Sequence, residues 1–216
     1  MVRTYYPIFA DLAGRRCVVV GGGLIALRKV ATLLRHGARV TVVSPTATRR
    51  LARYARQCTI GYVPRRFRPA DLRGAWLACA ATDEQPINEL VFRSAQRRRI
   101  FTNVVDQQPL CSFITPAIFQ RGALTVAVST GGASPSLAKR LRTELGLRLG
   151  AEYASMLKLL RGLRGVAKQK LPSYRDRQRY FERLVNGRVF ALARAGRPAA
   201  ARRNALALLD RAAAER

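Results

Sequence analysis

Short apolar runs alternate with helical periodicities over the first half of this chain. Residues 16–20 (Arg-Cys-Val-Val-Val) form a β-branched run, and residues 24–36 carry Ala26, Val30, Leu33 and Leu34 at helical spacing before Gly37. A glycine there suits the position just past a helix end. Residues 39–43 are a second run, broken by Ser44-Pro45, so the spacing predicts a β-α-β unit of about 30 residues. A helix over 47–57, a short strand over 59–63 and a basic connection over 65–71 follow, with a helical turn at 70–73. Residues 76–80 are unbroken apolar, as in a strand covered on both faces. A helix over 86–97, capped by Asp83, and a strand over 100–105 complete the repeat.

After Pro109 the alternation changes. Strands are expected over 112–114 and 124–129, joined through Phe119 and a turn at Arg121-Gly122, with no long helix between them. Ser134 and Pro135 then suit the N-cap and first residue of a helix over 137–149. From residue 151 the chain reads as helical and basic. Met156, Leu159, Leu160 and Leu163 mark one amphipathic helix, Tyr180, Phe181, Leu184, Val185 and Phe190 shorter ones, and residues 204–214 a last one. Gly150, Pro172 and Gly196-Arg197-Pro198 punctuate them, and the Ala/Arg-rich tail reads as a frayed helix. The expected fold class is α/β: a parallel sheet over 1–113, a small α+β region over 114–150 and a helical domain over 151–216.

The chemistry begins where the first strand meets Gly21-Gly22-Gly23 and the helix starts at once. Gly21 permits the sharp turn, Gly23 removes a Cβ from the path of a pyrophosphate, and Ala26 lets helix and strand pack closely. The spacing reads G-x-G-x-x-A, and unpaired amides at the helix start face the anion. This is the dinucleotide-binding arrangement of a Rossmann-type sheet. Such folds often place an acid at the end of the second strand to hold the ribose hydroxyls. Here that place holds Val43 and Ser44, with Arg49 and Arg50 just beyond, so the residues leave NAD and NADP open. Thr82 and Asp83 end the strand over 76–80 and are both capping residues and candidates for the cofactor edge. Asp106, closing the strand over 100–105, is either a turn residue or a catalytic carboxylate. The loop Ser129-Thr130-Gly131-Gly132 could form an amide nest for a carboxylate or phosphate, or an ordinary tight start to a helix.

Composition narrows the classes. No apolar run approaches the ~20 residues of a membrane span, and the start lacks a signal-peptide core, so a cytoplasmic protein without a membrane partner is expected. Cys17, Cys58, Cys79 and Cys111 form no C-x-x-C pair, which argues against a zinc ribbon or a disulfide framework and for buried free thiols. His36 is the sole histidine and should be exposed, so a metal site built from several histidines is excluded. A net charge of +28, from 40 Lys and Arg against 12 Asp and Glu, attracts polyanions. A nucleic-acid-binding protein with a Rossmann core is therefore a rival, although no recognition motif for nucleic acid is present. A regulatory domain that senses NAD is another.

Several segments together resemble one family. They are Tyr6-Pro7-Ile8-Phe9, V-V-V-G-G-G-L-I-A-L-R-K (18–29), A-A-T-D (80–83), N-V-V-D (103–106), S-F-I-T-P-A (112–117) and L-T-V-A-V-S-T-G-G-A-S-P (124–135). Their order is similar to that of the siroheme synthase family, in its module for precorrin-2 dehydrogenase and sirohydrochlorin ferrochelatase. The resemblance implies oxidation of the tetrapyrrole precorrin-2 with NAD, insertion of ferrous iron as a substrate, dimerisation through the region over 114–150, and a helical C-terminal domain packed in an intertwined homodimer. It implies Asp106 as the catalytic acid/base, and Gly21, Gly23, Leu24, Ile25, Pro45, Thr46 and Thr82 along the cofactor. Ser129, Thr130 and Gly131 would meet the substrate, and Arg121, Arg140 or arginines of the tail its carboxylates.

Overall fold

A computed structural model describes residues 4–214. Residues 1–3, at the start read for a leader, and 215–216, at the end of the tail, lie outside the described residues. The chain divides into two compact units, Met1–Thr115 and Pro116–Arg216.

The first unit is built on five parallel strands: β1 (Arg16–Val20), β2 (Arg39–Val43), β3 (Gly61–Val63), β4 (Leu77–Ala80) and β5 (Phe101–Val104). Their order is β3-β2-β1-β4-β5, a Rossmann-type sheet. Strands β1 and β4 sit inside it, and the last four residues of β1 and all of β4 are buried, as their unbroken apolar runs require. Side chains alternate between the faces. Cys17, Val19, Val40, Val42 and Cys79 meet helices α1 (Leu24–Arg35) and α2 (Arg49–Arg56), while Val18, Val20, Ala78 and Val104 meet α3 (Gln85–Arg97). Full burial pushes the Cys79 thiol up to about 12 and the Cys17 thiol up to about 11, so both remain neutral packing groups at neutral pH. Cys58, by contrast, is exposed on a left-handed backbone (φ 52°), which corrects the expectation that all four thiols are buried.

The chain leaves β1 for β2 in one direction and returns to β4 on the other side of β1. A crevice therefore opens beyond the carboxyl ends of β1 and β4. Val20 pairs with both Val43 and Ala80, and Ala80 with Val104, so these strand ends are level. The turn before β4 is fixed by Asp71. Its carboxylate takes both terminal nitrogens of Arg65 (2.6 and 2.9 Å) and the backbone N–H of Arg68 (2.8 Å). The hydrogen bonds from Arg65 hold its carboxyl below the usual range. A depressed folded value means that the unfolded chain binds the proton more readily. The Asp71 contribution is thus present above about pH 4 and lost as pH falls through the folded value. Asp71→Asn should lower the melting temperature at neutral pH, and thermal scans should show the two proteins converging in acid. A gap that persists there would contradict this role.

In the second unit, β6 (Ala117–Arg121) and β7 (Leu124–Val128) form an antiparallel hairpin turned at Gly122 (φ +58°). Helix α4 (Pro135–Arg148) rests on it, with Gly146 against the Phe119 ring. Ser134 caps α4 through its side chain and Pro135 opens it, as expected. The strand expected over 112–114 does not form. Ser112 instead ties that segment back to β5, its N–H donating to the Thr102 carbonyl (2.8 Å) and its hydroxyl accepting from the Thr102 N–H (2.7 Å). Phe119 accordingly lies inside a strand. Helices α5 (Ala151–Lys170), α6 (Tyr174–Asn186), α7 (Arg188–Arg194) and α8 (Pro198–Ala214) share a core of Met156, Leu163, Tyr180, Leu184 and Leu209. Over the described residues the tail is regular helix rather than a frayed one. Helix α8 begins at Pro198 and buries Ala201, Ala205 and Leu209 completely, because alanines four apart let it approach its neighbours closely.

Candidate active site

Three glycines do three different jobs. Gly21 has φ +121°, and a Cβ there would lie 2.2 Å from the Ala81 carbonyl oxygen at the end of β4. Gly22 has an ordinary φ, yet its Cβ would lie 1.8 Å from the Thr46 carbonyl oxygen. A Cβ on Gly23 would meet no protein atom within 4 Å, so the room above it is open to a ligand. Gly23 is also the N-cap of α1 without a side-chain cap, and the first turn holds no acid. The amides there are left to an outside anion, and the helix dipole reinforces them. Ala26 is fully buried against the sheet. Leu24 (67% exposed) and Ile25 (43% exposed) offer an apolar rim at the mouth. These features fit a dinucleotide phosphate. Gly22 has no assigned role in the G-x-G spacing, and its signal in sequence is a glycine at the variable middle position.

Backbone bonds draw the neighbouring strand ends onto this turn. The Gly21 N–H donates to Val43 (3.0 Å), Ala81 to Val20 (2.8 Å), and Thr48 to Gly22 (2.9 Å). The loop from Ser44 to Thr48 thus lies against the glycines, with Ser44 buried and Pro45 and Thr46 exposed. On the other side Thr82 follows β4. Its hydroxyl accepts from the Glu84 N–H (3.2 Å) and donates to Asn88 Oδ1 (2.9 Å), while Asn88 Nδ2 donates to the Thr82 carbonyl (2.9 Å). The N-cap of α3 is Glu84, without a side-chain cap bond, so the expected capping by Asp83 is corrected to a Thr82–Asn88 clasp. Asn88 is 3% exposed and gave no signal in sequence beyond its place in an apolar helix face.

Asp106 stands just beyond β5. Its backbone is left-handed (φ 57°), and the residue is exposed. No ion pair or side-chain hydrogen bond engages its carboxylate among the described residues. A partly buried set of polar groups holds the turn beneath it. Lys29 Nζ donates to Asn103 Oδ1 (2.7 Å), and Asn103 Nδ2 donates to the Phe113 carbonyl (3.2 Å). The Val104 N–H donates to Cys111 Sγ (3.2 Å), which also lies 3.3 Å from the Gln107 carbonyl oxygen. Lys29, Asn103 and Cys111 thereby fix the loop that carries Asp106. In the sequence Cys111 is legible only as a buried free thiol, which it is, and Lys29 and Asn103 carry no signal of this role.

In the second unit the loop over 129–134 is knitted to itself. The Thr130 hydroxyl accepts from the Ser134 N–H (3.1 Å), and the Gly131 N–H donates to Ser129 Oγ (3.1 Å). Gly131 (φ +63°) and Gly132 (φ +91°) make the bend. By its bonding this is a tight helix start. Two candidate substrate arginines are engaged as well: Arg121 donates to the Leu149 carbonyl (2.6 Å), and Arg140 pairs with Glu144 (2.8 Å).

Comparison with known proteins gives three family models in chain order. They are described as "Putative NAD(P)-binding" over residues 8–117, "Sirohaem biosynthesis protein central" over 121–146 and "Sirohaem synthase dimerisation region" over 152–209. The siroheme synthase of Thioalkalivibrio sulfidiphilus is 43% identical over 92% of this chain and 40% of its own length. That of Methylococcus capsulatus is 40% identical over 97% of this chain and 44% of its own. The chain belongs to the siroheme synthase family.

A solved structure named "SirC, precorrin-2 dehydrogenase" superposes with a TM-score of 0.79 at 26% identity, covering 96% of this chain and all of that one. The chain spans about two-fifths of the length of the curated siroheme synthases it matches. The first unit holds the domain whose family model is described as putative NAD(P)-binding, and the glycine turn falls inside its span. The model named for dimerisation falls on helices α5–α8, downstream of the hairpin and α4. Among the described residues no helix is long and apolar enough to cross a membrane. His36 is exposed at the far end of α1, its Nδ1 2.8 Å from the Thr32 carbonyl oxygen.

Proposed function

We propose that this chain oxidises precorrin-2 to sirohydrochlorin with NAD as acceptor and then inserts ferrous iron to give siroheme. The observation that carries the reading is the full-length likeness to the SirC precorrin-2 dehydrogenase, joined to a free carboxylate at the β5 end of a glycine-turn crevice. Bound NAD supplies a hydride acceptor. Gly21, Gly23, Leu24 and Ile25 seat its phosphates, and Pro45, Thr46 and Thr82 line the two sides of its path. Loss of a hydride from the reduced macrocycle leaves a proton to be removed, and Asp106 takes it. Precorrin-2 and NAD then become sirohydrochlorin, NADH and one proton. Entry of ferrous iron displaces two pyrrole protons, and the same carboxylate relays them. Iron is a substrate here, met by oxygen ligands that release it readily.

Ser129, Thr130 and Gly131 meet the substrate at the start of α4. Residues 1–113 serve the nucleotide, 114–150 help dimerise, and 151–216 complete an intertwined homodimer in the cytoplasm. Exposed Ile118, Leu137, Leu141 and Leu147 on the hairpin and α4 support that assembly. A second reading, dehydrogenase alone, has the name of SirC in its favour. The purified protein, given sirohydrochlorin and ferrous iron without NAD, should form siroheme faster than the uncatalysed reaction. An uncatalysed rate would leave the dehydrogenase only. No sirohydrochlorin from precorrin-2 and NAD would end both readings.

A further inference from the structure

The surface beside the glycine turn carries a feature that NAD does not use. The loop after β2 is fastened to the turn: Thr48 donates to the Gly22 carbonyl, and the Thr46 carbonyl closes on Gly22. Helix α2 starts immediately beyond, where the adenosine ribose of a nucleotide on the first turn comes to rest. An acid that would accept from the ribose diol is missing, since the stretch reads Val43-Ser44-Pro45-Thr46-Ala47-Thr48 and the first turn of α2 holds no acid.

Arginines stand there instead. Leu51 is buried at 1% exposure and turns one side of α2 to the core. Arg49, Arg50 and Arg53 are exposed on the other side and, with Tyr54, line a shallow groove of about 570 Å³. Among the described residues no carboxylate pairs with any of the three. Arg50 is held in place, its Nε donating to the Tyr54 hydroxyl (3.2 Å) and its guanidinium carbon 5.8 Å from the centre of that ring. This arrangement is electrostatically costly on its own. Arg49 and Arg53 are like charges one turn apart, and Arg49 and Arg50 occupy the positive end of the helix dipole. A dianionic phosphate relieves both conflicts and suits planar guanidinium donors.

We infer that this groove receives the 2′-phosphate of NADP, so that the chain binds the phosphorylated dinucleotide more tightly than NAD. The inference rests on the reading of the glycine turn as a dinucleotide seat. Calorimetric titration of the whole protein with NADP and with NAD, at one fixed salt concentration, tests it. NADP should bind roughly 10-fold or more tightly, the size expected of one or two charge-assisted hydrogen bonds. In Arg49→Ala/Arg53→Ala that preference should vanish through loss of NADP affinity. A control of equal charge change, Arg35→Ala/Arg97→Ala, should keep it. Equal affinities, or tighter NAD, overturn the inference and leave the glycine-turn reading intact. So does a loss of preference in the control, which would make the effect one of overall charge. Binding of neither nucleotide overturns the glycine-turn reading itself.

Discussion

Gly23→Val should give a protein that folds like the parent and no longer binds nucleotide. A side chain at 23 meets no protein atom within 4 Å, and the backbone there is extended (φ −79°, ψ −171°), which valine adopts without strain. Three new carbon atoms would instead fill the room above the first amides of α1, where the pyrophosphate must approach the backbone. Binding of NAD should fall by roughly 100-fold or more, the scale of several charge-assisted bonds lost together. Far-ultraviolet circular dichroism and the melting temperature should barely change. Gly22→Ala gives the opposite pattern. Its Cβ would lie 1.8 Å from the Thr46 carbonyl oxygen, backbone that cannot swing aside as a side-chain tip can. That variant should lose stability first, and binding only as a consequence. Retained nucleotide binding in Gly23→Val would remove the glycine turn from the cofactor site.

Asp106→Asn should lower dehydrogenation by roughly 100-fold or more while leaving nucleotide affinity and melting temperature close to those of the parent. Asparagine is the informative choice. Asp106 has φ 57°, a region that asparagine tolerates and alanine resists, so alanine would mix a backbone penalty with loss of the carboxylate. The carboxylate has no ion-pair or side-chain partner among the described residues, and removing its charge breaks no structural bond. Near-normal turnover with precorrin-2 and NAD would return Asp106 to the role of a turn residue.

The strand, glycine turn and helix were legible because each leaves a local mark. Cys17–Val20 is buried on both faces, Gly21 needs its positive φ, and Ala26 is small where helix meets sheet. What escaped depends on groups distant in sequence. Gly22 is required by the Thr46 carbonyl, a backbone atom with no signature of its own. Asn88 holds Thr82 through the turn before α3, and so displaced Asp83 from its expected capping role. Residues 112–114 look like a strand by their apolar character. Ser112 satisfies the Thr102 backbone with its side chain, however, and the segment closes down on β5. The alanines of α8 carry too little hydrophobic contrast to mark a face, yet three packed helices bury Ala201 and Ala205 fully. The support beneath Asp106 was hidden for a similar reason. Lys29, Asn103 and Cys111 meet only when α1, β5 and the following loop are folded together.

The proposed arrangement is a nicotinamide nucleotide seated on the glycine turn with its reactive ring directed toward Asp106. A crystal structure of the protein with NAD bound tests it most directly. The account predicts the pyrophosphate on the amides of Leu24 and Ile25 above Gly23, and the nicotinamide at the carboxyl ends of β4 and β5 on the side of Asp106. A dinucleotide bound elsewhere, or a nicotinamide turned away from Asp106, would contradict it.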